Sequence, residues 1–362
     1  MSAYYQLAKK IIQSNFFRLS LPYRLSFILT YKCNYKCKIC NIWARGPGEA
    51  EMTLPEIEEF FLKNNYISWL NLGGGEIFLR EDINEVADII YTKLDNLVLL
   101  DFATTGFFTD RVLSFVERLG RYKPKKLFIT VSLDGPKETH EWLRGIPGSW
   151  DKAIETFRGL RSMASASFKP YLGYTLSKYN FDKFFDTVKA VKKAVPDIGL
   201  DEFHINLAQV SELYYQNEAC LDASWAFKEK DRISALLGSF LGQKRKAGNI
   251  TLFLESVYQS RLKQFLNTAK TPLHCRALSA SCFIDPAWNV YPCVSYNKVI
   301  ANLKELGFDL RPVWQLAACR QLQKEILKSS CPNCWTPCEA YQTILGNLAR
   351  IFTNSLESVG FL

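Results

Sequence analysis

The sequence predicts an α/β fold: a parallel sheet covered by helices, followed by a small cysteine-rich unit. Two observations carry this. Short apolar runs rich in β-formers alternate with amphipathic helical patterns through the first 250 or so residues. Strict β-α alternation means parallel strands, with ligand sites at their carboxyl ends. After that point the alternation stops and cysteine, proline and tryptophan become dense. A chain of 362 residues is long enough for both units.

In order, the strands are expected over residues 25–30, 69–72, 97–103, 127–133, 171–176 and 203–207. The helical patterns between them cover 54–63, 83–94, 111–119, 150–163 and 181–195. Pro55 lies just inside the first helix and Pro196 just past the last, as helix start and stop rules require. The expected division is an amphipathic segment over 1–24, the α/β unit over 25–248, the cysteine-rich unit over 249–340, and an amphipathic helix over 341–362.

Composition is that of a globular chain, 48% hydrophobic and 22% charged, without low complexity or solenoid repeats. No run of 18 apolar residues exists, and Lys9 and Lys10 precede a stretch broken by Gln13, Ser14 and Arg18, unlike a secretory signal. Eleven cysteines in such a chain point to a reducing, cytoplasmic setting where clustered thiols bind metal. The net charge of +9 favours acidic partners. Its cations are spread out, with only short clusters at 123–126 and 244–246, which argues against nucleic acid.

Three cysteines, Cys33, Cys37 and Cys40, share the loop after the first strand, in YKCNYKCKIC. Three thiolates can converge on one inorganic centre and leave a coordination position open. Structural zinc and packed thiols are the plain alternatives. The second strand ends in LNLGGGEIF, where Gly73, Gly74 and Gly75 let backbone approach a ligand closely and Glu76 adds a carboxylate. Near the C-terminus stand Cys275, Cys293 and the run CPNCWTPC with Cys331, Cys334 and Cys338. SCFIDPAWNVYPC reads as a hairpin turning at Asp285-Pro286. Thiolates bind zinc and iron alike, so this spacing leaves both metals open.

Taken together, these motifs resemble the radical S-adenosylmethionine enzymes. FATTG (102–106), VSLDGPKETHEWLRGIPGSWDKAIE (131–155) and LGYTLSKYN (172–180) continue the resemblance, which covers roughly residues 25 to 340. Thr105 stands where the family commonly has Asn, and Ile77 where Pro follows the Gly-Gly-Glu.

The resemblance implies a partial (β/α)6 TIM barrel and a SPASM/twitch auxiliary-cluster domain. Cys33, Cys37 and Cys40 would hold a [4Fe–4S] cluster whose fourth iron takes S-adenosylmethionine, giving a 5′-deoxyadenosyl radical that abstracts substrate hydrogen. Gly74, Gly75 and Glu76 would contact the methionyl amino group, Thr105 the same cofactor, Ser132 the ribose, Arg144 the methionyl carboxylate, and Ile39 the adenine. One auxiliary [4Fe–4S] cluster would be held by Cys275, Cys293, Cys331 and Cys334, with Cys338 a possible replacement and Cys282 a weaker one. Trp288 stands where the longer two-cluster version carries Gly.

The implied reaction is oxidation, or carbon–carbon or thioether bond formation, on a peptide or small metabolite. An electron donor such as flavodoxin or ferredoxin would feed it. The rivals are an isoprenoid, lipid or glycan precursor at the membrane, and a non-catalytic iron–sulfur electron carrier or binding module.

Asp134 and His204 are the candidates for acting on substrate; the bland readings are an Asp-Gly turn and a core histidine. The histidines 140, 204 and 274 are too scattered for a catalytic constellation. Both chain ends are amphipathic. Tyr4, Tyr5, Ile11, Ile12 and Phe16 form one face beside Lys9 and Lys10, and Tyr341, Ile344, Leu345, Leu348, Ile351 and Phe352 form the other. Docking on the barrel and contact with a membrane surface both stay open.

Overall fold

The computed structural model describes residues 2–45, 51–244 and 250–352. The expected boundary at 248/249, Arg245 and Lys246 of the second basic cluster, and residues 353–362 of the last segment lie outside these.

Six parallel strands follow the expected order: β1 (Arg24–Thr30), β2 (Trp69–Gly74), β3 (Leu99–Thr104), β4 (Lys126–Ser132), β5 (Phe168–Leu176) and β6 (Phe203–Leu207). Three more strands, β7 (Ser281–Ile284), β8 (Asn289–Tyr291) and β9 (Ala301–Asn302), extend the same sheet in the order β6-β5-β4-β3-β2-β1-β7-β8-β9. β7 pairs parallel with β1 from Arg24↔Ser281 to Phe27↔Ile284. The cysteine-rich unit is thus joined to the barrel by strand addition, not simply tethered after it.

The helices are α1 (Ala3–Phe16), α2 (Leu54–Lys63), α3 (Ile83–Lys93), α4 (Thr109–Gly120), α5 (Lys137–Arg144), α6 (Ser149–Ser162), α7 (Phe184–Ala194), α8 (Trp225–Lys228), α9 (Lys230–Gln243), α10 (Ile250–Thr268), α11 (Ala317–Leu327) and α12 (Pro337–Leu345). Five of them, α2, α3, α4, α6 and α7, are the expected crossovers, with ends displaced by a few residues. Thr53 and Glu56 close a capping box at the start of α2, with Pro55 inside its first turn.

Alternation along the strands separates two environments. On β4, Leu127, Ile129 and Val131 are buried under helices, whereas Phe128, Thr130 and Ser132 are half-buried on the lumen side. On β3, Leu100, Phe102 and Thr104 are buried and Ala103 is exposed to the lumen. The helix side is a continuous apolar core. Phe27 of β1 packs on Phe60, Phe61 and Trp288 at ring-centroid distances of 5.4, 5.2 and 5.6 Å. Each such ring contributes roughly 1.5–3 kcal/mol by burial.

Trp288 sits at the β7–β8 turn with φ +69°, left-handed backbone that ordinarily favours glycine. Its fully buried indole, which donates to Glu56 Oε2 at 3.2 Å, offsets that strain.

Two elements close the barrel's openings. α10 covers the free edge of β6, where Gln259 Nε2 donates to the Ile205 carbonyl at 2.7 Å. α1 crosses the amino-terminal ends of the strands: Lys10 Nζ donates to the Tyr66 carbonyl at 3.0 Å, and Tyr4 reaches the Lys125 carbonyl at 3.5 Å. The two amphipathic ends behave differently. Ile344, Leu345 and Ile351 are buried against the fold, whereas Tyr4, Tyr5, Ile12 and Phe16 remain exposed. Among the described residues, no helix is long and apolar enough to cross a membrane.

Candidate active site

The cysteine loop leaves β1 at its carboxyl end and is laced to the end of α5. Lys36 and Lys38 amides donate to the Arg144 and Leu143 carbonyls at 3.2 and 2.8 Å. Gly145, at φ +71°, ends α5 where a Cβ would stand 2.6 Å from the Lys36 carbonyl oxygen. All three thiols are free, and burial pushes Cys33 and Cys40 up to about 12. Burial raises Cys37 as well, while Arg144, whose Nη1 lies 3.8 Å from Sγ, pulls it down. Thiols held this way are protonated at neutral pH, so loading metal must expel their protons.

Gly73, Gly74 and Gly75 end β2 under this loop. A Cβ on Gly74 would lie 2.5 Å from the Thr30 oxygen, and one on Gly75 2.2 Å from the Lys32 oxygen. The close approach expected at these glycines is therefore made by the chain's own cysteine loop. Glu76 is buried and fully engaged. Its Oε2 accepts from the Thr105 amide and hydroxyl, both at 2.7 Å, and from Thr104 Oγ1 at 3.0 Å; its Oε1 accepts from the Phe78 amide at 3.2 Å. The Glu76 and Thr105 side chains tie β2 to β3, and the Gly75 and Glu76 amides donate to the Thr30 and Lys32 carbonyls at 3.0 and 2.9 Å, so the glycine run is bound to the cysteine loop. Ile77, in the position of the usual Pro, starts a tight turn over Ile77–Leu79 that Glu76 caps.

Asp134 and Arg144 form a buried pair, Oδ2 to Nη2 at 2.6 Å. The Thr175 amide donates to Asp134 Oδ1 at 2.8 Å. Burial pushes the Asp134 carboxyl up and the guanidinium opposes it. Oδ2 is thus engaged by Arg144 and Oδ1 by the Thr175 amide, an arrangement in which Asp134 orients Arg144. His204 lies elsewhere. It is the second residue of β6 and so lies at the amino end of the strand, opposite the cysteine loop. Its ring stacks on Tyr171 at 3.9 Å, in a cleft of about 340 Å³, and burial lowers its pKa to about 4. Ser132 faces the lumen at the carboxyl end of β4, and the Ile39 carbonyl accepts from Asn217 Nδ2 at 2.9 Å.

Sequence reasoning did not single out the segment after β6. The Tyr215 carbonyl accepts from the Asn41 amide at 2.8 Å, Tyr214 Oη donates to the Gly74 carbonyl at 2.7 Å, and Ser211 Oγ donates to the Val294 carbonyl at 2.6 Å. It ties the cysteine loop, the glycine run and the C-terminal unit together. The aromatic pair in SELYYQN was its only visible signal.

In the C-terminal unit, Cys275, Cys293, Cys331 and Cys334 share one neighbourhood. Beyond the dominant effect of burial, Cys334, Glu339 and Cys275 raise the Cys293 thiol, and Glu339, Cys334 and Cys331 raise Cys275. Cys338, in the first turn of α12, packs in the cluster that holds Tyr214 and Tyr215; it shares Glu339 with the other thiols but also feels Arg24 and Asp101. Cys282 and Cys319 are packed in the apolar core. Among the described residues, no three His, Cys, Asp or Glu side chains close around a point as a single ion requires. Four thiols in one neighbourhood are the donor set of an iron–sulfur cube, which takes one thiolate on each iron.

Below the mouth the lumen has a charged floor. Asp101 accepts from Trp69 Nε1 at 2.5 Å and Asn71 Nδ2 at 2.6 Å, and Arg24 lies over the Trp69 ring. Glu339 accepts from Ser281 Oγ at 2.7 Å, while its Oε1 has no partner. Burial pushes Glu339 up to about 7, with Arg24 opposing. Between the ordinary carboxylate range and pH 7 the folded chain holds this proton and the unfolded chain does not, so its contribution falls as pH rises. Glu339→Gln should therefore gain stability relative to the parent across that window, by on the order of 3 kcal/mol in denaturant titrations at several pH values. A pH-independent difference would contradict it.

Residues 27–191 match the family model described as the radical SAM superfamily. The chain is 25% identical over 334 residues to the AdoMet-dependent heme synthase of Methanosarcina barkeri, covering 86% of this chain and 88% of that one. It is 26% identical over 341 residues to the mycofactocin maturase MftC of Mycobacterium ulcerans, covering 87% and 81%. A 141-residue match at 31% identity joins it to the subtilosin biosynthesis protein AlbA of Bacillus subtilis, over 38% of this chain but 30% of AlbA. Among solved structures, Streptococcus suis SuiB bound to precursor peptide SuiA superposes with a TM-score of 0.60 at 16% identity, covering 88% and 70%; this likeness bears on the fold alone.

Proposed function

Because the chain belongs to the radical SAM superfamily, we propose that it is a peptide-modifying member in which Cys33, Cys37 and Cys40 hold the catalytic cluster. The second cluster sits on Cys275, Cys293, Cys331 and Cys334, within an auxiliary unit over 249–340. When bound, the first cluster and S-adenosylmethionine supply a carbon-centred radical that takes a hydrogen atom from the substrate.

The chain's own residues place the reactants. The main chain of 73–76 faces the methionyl amino group, Arg144 presents its guanidinium to the methionyl carboxylate, and Ser132 and Ile39 hold the ribose and adenine. The lacing of the loop to α5 and to the segment after β6 keeps water from the site.

The observation that carries the peptide reading is the lumen. Above its floor it shows Ala103, Thr130, Ser132, Gly173, Thr175 and Asn206, small and neutral side chains that suit an amide backbone. AlbA is by name a bacteriocin biosynthesis protein and MftC a maturase, which favours the same reading. A second reading, a heme precursor, rests on the extended match to the heme synthase.

The test uses reconstituted enzyme with dithionite and S-adenosylmethionine, offered short peptides encoded beside its gene or an iron porphyrin. Peptide-dependent 5′-deoxyadenosine and a peptide lighter by hydrogen, or cross-linked, would support the proposal. Turnover on the porphyrin alone would replace it with the second reading.

A further inference from the structure

α1 is apolar on two sides, and the protein uses one of them. Leu7 and Ile11 pack inward on Leu19, Tyr23 and Leu345. Tyr5, Ile12 and Phe16, spaced for one face, point outward and are 54%, 62% and 66% exposed; Phe17, just past the helix, is 69% exposed. Of the fourteen exposed large apolar side chains among the described residues, five lie between Tyr4 and Phe17, so this patch is concentrated where scattered singles would be ordinary.

Cations border the patch. Lys9 is exposed on the same helix. Arg18 follows Phe17 and lines a cleft of about 450 Å³ with Arg311, Arg320 and Ser20. Arg18 donates to the Trp314 carbonyl at 3.0 Å, and Asp309 pairs with Arg311, which leaves the rim positive.

We propose that this face seats the enzyme on an anionic lipid bilayer, with α1 lying in the plane of the interface. Three features favour a bilayer over a protein partner. Aromatic rings beside lysine and arginine are the chemistry of the membrane–water boundary. Lysine is depleted at protein interfaces. The stripe of a 14-residue helix is about 21 Å long, and its few hundred Å² fall short of the roughly 800 Å² per partner of a stable protein interface. α1 crosses the amino ends of the strands, so seating it on the bilayer turns the barrel mouth away from the membrane. The surface is thus a place of residence, separate from the substrate entrance, and the proposal stands whatever the substrate is.

The test mixes intact holoenzyme, handled without oxygen, with vesicles of phosphatidylcholine alone or mixed with phosphatidylglycerol. The protein should sediment with the anionic vesicles and be released by salt. Phe16→Ser with Phe17→Ser should weaken this by about tenfold or more, and Ile12→Glu on the same stripe should do likewise. Arg18→Glu with Arg320→Glu should abolish the preference for anionic lipid. S-adenosylmethionine cleavage, at the other end of the barrel, should be unchanged in each, showing that the variants fold. Sedimentation that ignores these substitutions, or none at all, would overturn the proposal. So would a parent that is dimeric without lipid and a Phe16/Phe17 variant that is monomeric, which would assign the face to a second copy.

Discussion

Cys37→Ala is expected to abolish 5′-deoxyadenosine formation and to remove about four irons per chain, leaving about four on the C-terminal cysteines. Of the three loop thiols Cys37 is the most buried, and it is the one beside Arg144. Its position is set by backbone hydrogen bonds from Lys36 and Lys38, on either side of it, to the end of α5. Cys33→Ala and Cys40→Ala should behave alike. Iron counts and product chromatography check this; full cleavage activity in any of the three would exclude the loop as the ligand set. A variant lacking all three should keep about four irons and no stoichiometric zinc.

The second large effect is at Arg144. In the proposed role, Arg144→Ala would remove a charge-assisted contact to the methionyl carboxylate, with an expected loss of about 1.5–3 kcal/mol or roughly ten- to hundredfold in dissociation constant. It also strands Asp134 as an uncompensated buried charge, at a cost of about 3–5 kcal/mol in stability. The two losses separate on adding Asp134→Asn. Arg144→Met with Asp134→Asn should recover much of the stability while S-adenosylmethionine binding stays weak. If the pair recovers binding as well, Arg144 serves only to neutralise Asp134. Calorimetry and denaturant titration on the same preparations read both quantities.

The barrel was legible because its strands and crossover helices each present one apolar face to the other, so a period of two alternates with one of 3.6. Leu127, Ile129 and Val131 against the five crossovers show this directly. α10 escaped notice for the opposite reason. Glu255, Tyr258 and Gln259 are buried along it, Gln259 serving the open edge of β6, and these polar positions break the apolar period. The expected strand over 203–207 already put His204 at its amino end; what the sequence did not show is the ring stack on Tyr171, which comes from the neighbouring strand. Arg144 was visible as a cation near the motif; its partner was not, because ten residues of turn and helix bring Asp134 to it. The cysteine spacing in CPNCWTPC could not separate Cys338 from the other thiols, as only the start of α12 turns it toward Tyr214 and Tyr215.

The pairing of β1 with β7 has a consequence for biosynthesis. β1 is among the first segments to leave the ribosome, yet its second neighbour, Ser281–Ile284, is made some two hundred and fifty residues later. Until then one side of β1 presents unpaired amides and carbonyls, and loop closure over so long a separation is slow. A nascent chain halted before residue 281 therefore carries an open strand edge beside three unligated thiols, the combination most exposed to wrong pairing and oxidation. Expression of the barrel segment without its C-terminal unit should give aggregate, and chaperone demand during translation should end when β7 emerges.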